Sequence, residues 1–233
     1  MLRTGTRLLY DAADVLVWCV VLTLVWVTFT LAGAVVLGAA PASVAVVGLV
    51  RRRERGDVVH PWRDAARTWR AELWRSQPAV LPALAVPAVL WGNYATLSAL
   101  GPDASAARLA TLAAFVAAAG IGAWAPALYL HYDLPLRRFL PMASRLALAR
   151  PGSTVVLLFT GLVLAVACAV VPVLALVGLG AWWHASTWLC LRFFAENEDR
   201  LAAIRADAEA PADRSGPPDR GAPTLPAEPL RIR

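Results

Sequence analysis

The chain has 233 residues, 59% of them hydrophobic and 16% charged, and its net charge of +6 comes entirely from arginine. Soluble domains are usually about 45–50% apolar and about 25% charged, so this composition excludes an ordinary soluble globular protein and favours one whose solvent is largely lipid. The arginines flank long apolar runs, a placement that membrane topology explains. We therefore expect the lipid bilayer as a partner and no nucleic-acid binding.

Uncharged apolar runs recur along the chain, and a run of about 20 residues can cross the roughly 30 Å hydrocarbon core as a helix. The pattern predicts an all-α, polytopic membrane helix bundle over residues 1–195. Residues 154–194 would form a helix of about 60 Å, twice the core thickness, so we expect a hairpin at Val171-Pro172, where proline can begin a helix. The predicted helices cover residues 15–36, 39–53, 79–100, 109–130, 154–171 and 173–194.

The distribution of arginine sets the predicted orientation. Residues 51–77 carry eight arginines and residues 131–153 carry four, whereas residues 101–108 carry one and residues 171–172 carry none. Because arginine-rich loops stay on the cytoplasmic side, the first two segments are predicted to face the cytoplasm. The arginines that define this topology are Arg51, Arg52, Arg53, Arg137 and Arg138.

The second apolar run leaves the number of crossings open. Residues 39–53 would give a helix of about 22 Å, which can span only if the bilayer thins or the arginines at its end snorkel. With Arg3 and Arg7 holding the N-terminus inside, we predict six helices in three hairpins and both termini cytoplasmic, in a multi-pass protein of the plasma membrane. If the short run does not cross, five spans and an external N-terminus result.

Residues 61–76 carry the clearest local signal. Tryptophan and leucine recur at helical spacing on one side and arginine on the other, which is typical of an amphipathic helix in the membrane interface. Such a helix serves either as an anchor on anionic lipid or as a docking surface for a cytoplasmic partner. The residues concerned are Trp62, Arg63, Arg67, Trp69, Arg70, Leu73, Trp74 and Arg75.

Polar residues are few inside the predicted spans. Asn93 and His184 are candidates for a ligand or transport pathway, and the alternative for both is a hydrogen bond between helices. The spans contain no Asp or Glu, which disfavours a proton relay of the usual acidic kind. Residues 196–233 contain six prolines and few large apolar side chains, so we expect a disordered cytoplasmic tail.

Catalytic and metal-binding patterns are missing from the sequence. It contains no H-E-x-x-H, P-loop or G-x-G-x-x-G, and the three histidines occur in separate contexts. The three cysteines lie inside apolar runs without C-x-x-C spacing, which disfavours a disulfide framework or a zinc site. We expect no enzymatic activity and no cofactor.

One succession of residues resembles a known family. Gly38-Ala39-Ala40-Pro41-Ala42 leads through an apolar stretch to a basic cluster and then to the aromatic, basic helix PWRDAARTWRAELW at residues 61–74. This succession resembles the YesL-like family of bacterial integral membrane proteins, domain of unknown function 624. Family members usually have Phe where this chain has Trp62, Trp69 and Trp74, so the aromatic character is kept.

The resemblance implies a role only by association, because members of that family are often encoded beside carbohydrate-import ABC transporters and glycan-degrading enzymes. It implies a non-enzymatic accessory or regulatory component of a carbohydrate or solute uptake system. An ABC-type sugar importer or a signalling membrane protein would be the partner. The alternative is a small transporter with an intramembrane binding cavity near Asn93 and His184.

Overall fold

The computed structural model describes residues 2–100, 104–132, 135–149 and 151–209, and within them the chain is an all-α bundle. A short 3-10 turn, Pro172–Leu174, separates the last two helices. The helices, in chain order, are α1 (Leu2–Ala32), α2 (Val36–Glu54), α3 (Pro61–Glu72), α4 (Gln77–Ala99), α5 (Ser105–His131), α6 (Leu136–Ala149), α7 (Pro151–Val170) and α8 (Ala175–Glu209).

Five segments of the described chain are long and apolar enough to cross a membrane: Ala12–Ala32, Gln77–Ala99, Ser105–His131, Pro151–Val170 and Pro172–Arg205. They lie in α1, α4, α5, α7 and α8. The helix α2 is not among them, because three arginines occupy its last turn. These helices make the protein a multi-pass membrane protein by length and composition.

Helical hairpins organise the bundle, as the sequence predicted. In the α4–α5 hairpin the ring of Trp91 packs against that of Phe115, with centroids 5.3 Å apart. In the α7–α8 hairpin Gly161 lies against the ring of Trp182, and the chain reverses at Pro172 as expected. In the α1–α2 hairpin the indole of Trp26 donates a hydrogen bond of 3.0 Å to Ser43 Oγ.

Two close approaches explain where glycine is needed. A Cβ atom on Gly38 would lie 2.2 Å from the carbonyl oxygen of Thr30, so the α1–α2 turn closes only with glycine at this position. A Cβ on Gly180 would lie 1.8 Å from the carbonyl oxygen of Cys19, so α8 crosses α1 in backbone contact. At this crossing the Gly180 peptide N–H also approaches Thr23 Oγ1 at 2.8 Å.

The helix α2 forms the centre of the bundle. Eleven of its 19 residues are buried, whereas α7 buries only Leu157. Neighbouring protein therefore covers α2. Val44, Val46 and Val50 are fully enclosed.

The start of α4 lies beside the start of α2. The side-chain amide of Gln77 donates a 2.6 Å hydrogen bond to the carbonyl oxygen of Leu37 and a second bond of 2.9 Å to that of Leu73. The other end of α2 lies near the start of the apolar segment of α1, because Arg53 pairs with Asp14. The six crossings predicted from the sequence and the five-span alternative both stay predictions.

Two further boundaries differ from the sequence prediction. The amphipathic helix predicted for residues 61–76 ends at Glu72, and residues 73–75 form a turn before α4. Residues 196–209, predicted to begin a disordered tail, continue α8 because they are rich in the helix formers Ala, Glu, Arg and Leu. The remainder of the predicted tail, residues 210–233, lies outside the described residues.

Candidate functional site

The helix α3 is held at its N-terminus by a carboxylate. Pro61 occupies the first helical position, where its missing N–H costs nothing. The peptide N–H of His60 donates to Asp64 Oδ2 at 2.9 Å, and the Arg52 guanidinium lies 2.8 Å from the same oxygen. The hydrogen bond from His60 and the charge of Arg52 lower the pKa of the Asp64 carboxyl.

Aromatic contacts fix the inner face of α3. The ring of Phe29 in α1 packs against Trp69 at 5.8 Å and against Trp62 at 6.5 Å between centroids. Trp69 and Leu73 are half-buried, while Trp62 keeps 48% of its surface exposed. The predicted apolar face is therefore present, and it packs mainly on the bundle.

Arginines form the outer face of α3. Arg63, Arg67 and Arg70 are exposed and follow each other at helical spacing of four and three residues, so they form one stripe. Arg75, also exposed, and Trp74, which is 71% exposed, lie in the turn that follows. Among the described residues, no carboxylate lies within ion-pair distance of Arg63, Arg67, Arg70 or Arg75, so this surface presents unneutralised positive charge.

The arginine triplet at the end of α2 has a structural role. Arg51 donates a hydrogen bond of 2.7 Å to the carbonyl oxygen of Leu130 at the end of α5. Arg53 pairs with Asp14 and lies over the ring of Trp18, 4.4 Å from its centroid. Together with the Arg52–Asp64 pair, these contacts connect α2 to α1, α3 and α5.

A second amphipathic helix, α6, was missed by the sequence analysis, which read this stretch as a basic loop. Its inner face buries Phe139, Ala143 and Ala147. Its outer face carries Arg137, Arg138 and Arg145, all exposed. The signal was present as a helical repeat of apolar residues, but Pro141 within the helix obscured it.

Tyr129, near the end of α5, joins the two amphipathic helices. Its hydroxyl donates a hydrogen bond of 2.6 Å to Glu72 Oε2 at the end of α3. Its ring meets that of Phe139 in α6 edge-on, with centroids 6.2 Å apart. The arginine-bearing helices therefore lie on the same side of the bundle.

A polar cluster joins the end of α5 to residues 196–209 of α8. Sequence reasoning missed it because its members, His131 and Glu198, are 67 residues apart. His131 Nε2 lies 2.7 Å from Glu198 Oε1, and the His131 ring stacks on Phe194 with centroids 4.7 Å apart. Burial, followed by the nearby Glu198 carboxylate, raises the pKa of Tyr132. This cluster holds the end of α8 against the end of α5.

The structure separates the two intramembrane candidates. Asn93 is exposed, and its side-chain amide lies 3.4 Å from Thr111 Oγ1 within the α4–α5 hairpin. His184 is half-buried, with Nε2 4.0 Å from Glu54 Oε1 at the end of α2. The contact at Asn93 fits the hydrogen bond between helices that was the alternative to a ligand role.

An apolar cavity of about 680 Å³ opens between α4, α5, α7 and α8. Its twelve lining residues are aromatic, aliphatic or glycine, and they include Trp91, Phe115 and Trp182. Neither Asn93 nor His184 lines it. The cavity therefore offers no set of polar groups that could orient a hydrophilic ligand.

Comparison with known proteins places the α1–α4 region in a family context. The profile described as "Protein of unknown function, DUF624" matches residues 19–94, from α1 through α2 and α3 into α4. The chain is 30% identical over 156 residues to "Uncharacterized protein YesV" of Bacillus subtilis (strain 168), an alignment that covers 66% of this chain and 75% of that protein. No solved structure matches the chain.

Proposed function

This chain belongs to the DUF624 family, and from that premise we propose that it is a non-enzymatic accessory or regulatory component of a carbohydrate-uptake system in the bacterial plasma membrane. The observation that carries the proposal is the stripe of Arg63, Arg67 and Arg70 on α3, exposed and without a carboxylate partner among the described residues. Positive charge that is not neutralised within the fold is available to an acidic partner.

The rigidity of α3 supports a docking role. Three contacts fix the helix along its length. They are the ring contact between Phe29 and Trp69, the ion pair between Arg52 and Asp64, and the hydrogen bond from Tyr129 to Glu72. A fixed row of guanidinium groups binds a partner without the loss of conformational entropy that ordering a flexible loop would cause. The partner that fits is an acidic surface on a membrane subunit of an ABC-type sugar importer or of a signalling protein.

The proposed topology has five crossings, with the N-terminus outside and the C-terminus in the cytoplasm. Since Gln77 meets Leu37, α2 and α3 together make no net crossing. The α3 arginines Arg63, Arg67 and Arg70 and the four arginines of residues 131–153 then share the cytoplasmic side, as the positive-inside rule favours. Arg53, paired with Asp14 near the start of α1, lies toward the other side. The α3 stripe would thus be available to a partner at the cytoplasmic face.

A small transporter for sugars is less well supported. A sugar site needs several hydrogen-bonding side chains aimed into one cavity. The cavity between α4, α5, α7 and α8 is lined by apolar residues, with Trp91 and Trp182 among its walls. We therefore favour the accessory role over transport by this chain alone.

The test is site-specific photo-crosslinking in intact cells, with a photoreactive amino acid at Ala71 beside the stripe. We expect capture of a subunit of a solute importer or of its signalling partner, identified by mass spectrometry. Reversing the stripe charge with Arg63→Glu, Arg67→Glu and Arg70→Glu should abolish that capture. The matched control, Arg55→Glu, changes an exposed arginine outside the stripe and should leave it intact. Capture of lipid alone by the wild-type chain would refute the proposal.

A further inference from the structure

The apolar cavity between α4, α5, α7 and α8 runs along the helices for the depth of one membrane leaflet. On α5 its lining residues follow at helical spacing from Leu112 to Ala119, and on α7 they extend from Val155 to Ala165. At 1.5 Å per residue, the α7 wall is about 15 Å long. Half of the roughly 30 Å hydrocarbon core has the same length, and this is the depth that a lipid acyl chain fills.

Aromatic rings narrow the cavity. The ring of Trp91 in α4 packs against that of Phe115. The ring of Trp182 in α8 lies so close to Gly161 that a Cβ atom there would come within 3.0 Å of it. Spread over about 15 Å, the cavity volume of about 680 Å³ gives a mean cross-section of roughly 45 Å². An α-helix with its side chains is about 10–12 Å across, so the space is too narrow for a helix but wide enough for a hydrocarbon chain.

The cavity opens toward the bilayer on the side of α5 and α7. Val116 in α5 and Val155 and Phe159 in α7 line it and are exposed, and all three lie within candidate spans. Hydrocarbon therefore surrounds this opening. An acyl chain can enter it from the adjoining leaflet without passing a polar surface.

Arg108 continues the lining face of α5 one turn beyond the cavity. It precedes Leu112 by four residues and Ala119 by eleven, which places the three within about 40° of one another around the helix. Its side chain tilts toward the start of α5, away from the hydrocarbon, where an arginine reaches lipid headgroups. Among the described residues, no carboxylate lies within ion-pair distance of Arg108.

We propose that the cavity binds one anionic phospholipid of the bilayer, with an acyl chain along α5 and α7 and the phosphate on Arg108. Charge and polarity select this occupant, because the chain meets only apolar side chains and the phosphate meets a guanidinium at the end of the same face. The proposal does not depend on a partner of α3, since α3 contributes nothing to the cavity.

Native mass spectrometry of the full chain tests the headgroup contact. The protein is released from nanodiscs of equal phosphatidylglycerol and phosphatidylcholine content, and we expect it to retain one phosphatidylglycerol. One arginine near an anionic headgroup is worth roughly fivefold in binding, so Arg108→Gln should lower the ratio of retained phosphatidylglycerol to phosphatidylcholine about fivefold. The control is Arg205→Gln, which lies 23 residues beyond Trp182 on α8, about 35 Å along the helix, and should leave the ratio unchanged. An equal ratio in the wild type and Arg108→Gln overturns the proposal.

A matched pair of variants tests the position of the acyl chain. Ala119→Phe places a ring in the cavity, whereas Ala117→Phe makes the same change at an exposed position of α5 that does not line it. Ala119→Phe should abolish retention of phosphatidylglycerol, and Ala117→Phe should preserve it. Cooperative thermal unfolding in detergent checks that both variants fold. Equal retention by the two variants overturns the assignment of the cavity, and the Arg108 measurement stands independently of this pair.

The same spectra separate the other occupants. A dimer mass that Ala119→Phe abolishes would mean that a second copy of the chain fills the cavity. A retained apolar molecule without phosphate would mean that the cavity takes a ligand other than a phospholipid. Either result overturns the proposal.

Discussion

The side-chain amide of Gln77 lies 2.6 Å from the carbonyl oxygen of Leu37, so α2 and α4 begin at the same end of the bundle. The contact joins the starts of two helices that are 40 residues apart in the sequence. It supports the proposed five-span topology, in which α2 and α3 together make no net crossing.

Cysteine accessibility tests this topology directly. In a Cys168→Ser background, Thr4→Cys and Ala104→Cys should react with an impermeant maleimide on intact cells, whereas Ala71→Cys should react only after the cells are opened. Six crossings would instead protect position 4 while leaving position 104 reactive. Protection of position 4 on intact cells would therefore disprove the five-span arrangement.

Substituting Gly180 should destabilise the bundle. In Gly180→Ala the new Cβ would meet the Cys19 carbonyl oxygen at 1.8 Å, which forces α8 away from α1. Overpacking of this kind costs about 1–3 kcal/mol, seen as a lower Tm in detergent. The matched control is Gly92→Ala in α4, where nothing lies within 4 Å and Ala favours the helix. Equal Tm values for the two variants would argue against the α1–α8 crossing.

The hydrogen bond between Tyr129 and Glu72 should be measurable by a double-mutant cycle. Removing the hydroxyl in Tyr129→Phe deletes a bond to a carboxylate, worth about 1.5 kcal/mol in the free energy of unfolding. If the two groups interact, Tyr129→Phe should cost much less in a Glu72→Ala background. Chemical denaturation in detergent supplies the four free energies, and a coupling energy of zero would show that the contact does not form.

Lowering the pH should destabilise the first turn of α3. The pKa of Asp64 is lowered in the folded protein, so its stabilising contribution is present above the unfolded value of about 3.9 and is lost as pH falls through the lower folded pKa. Hydrogen exchange of the α3 amides should therefore show less protection at the acidic end of this range.

Asp64→Asn provides the comparison, because an amide oxygen keeps an acceptor but does not titrate. Other carboxylates titrate in the same range, so the informative quantity is the difference between the wild-type and Asp64→Asn protection of α3. If both chains lose protection in parallel as the pH is lowered, the carboxylate at position 64 does not anchor the helix.

Local sequence patterns predicted the elements better than their arrangement. Uncharged runs located the five candidate spans, and Pro172 located the last hairpin, because both signals act within one stretch of chain. The family resemblance read from residues 38–74 was confirmed as well. The meeting of the starts of α2 and α4 could not be predicted, since it rests on Gln77 contacting a carbonyl oxygen 40 residues away.

The candidate site was predicted only in part, because some of its features are local patterns and others are contacts between distant residues. The alternation of tryptophan and arginine identified α3, with Trp69 inside and Arg67 outside. The contact between Glu72 and Tyr129, 57 residues apart, has no local signature.

The enclosure of α2 has a consequence for biogenesis. A helix that ends in three arginines and hides its valines among neighbouring helices has little affinity for lipid on its own. Its neighbours in the bundle include α1, α4, α5 and α8. We therefore expect α2 to dock after these helices have been inserted, and a chain truncated before α8 to leave the valines of α2 incompletely covered.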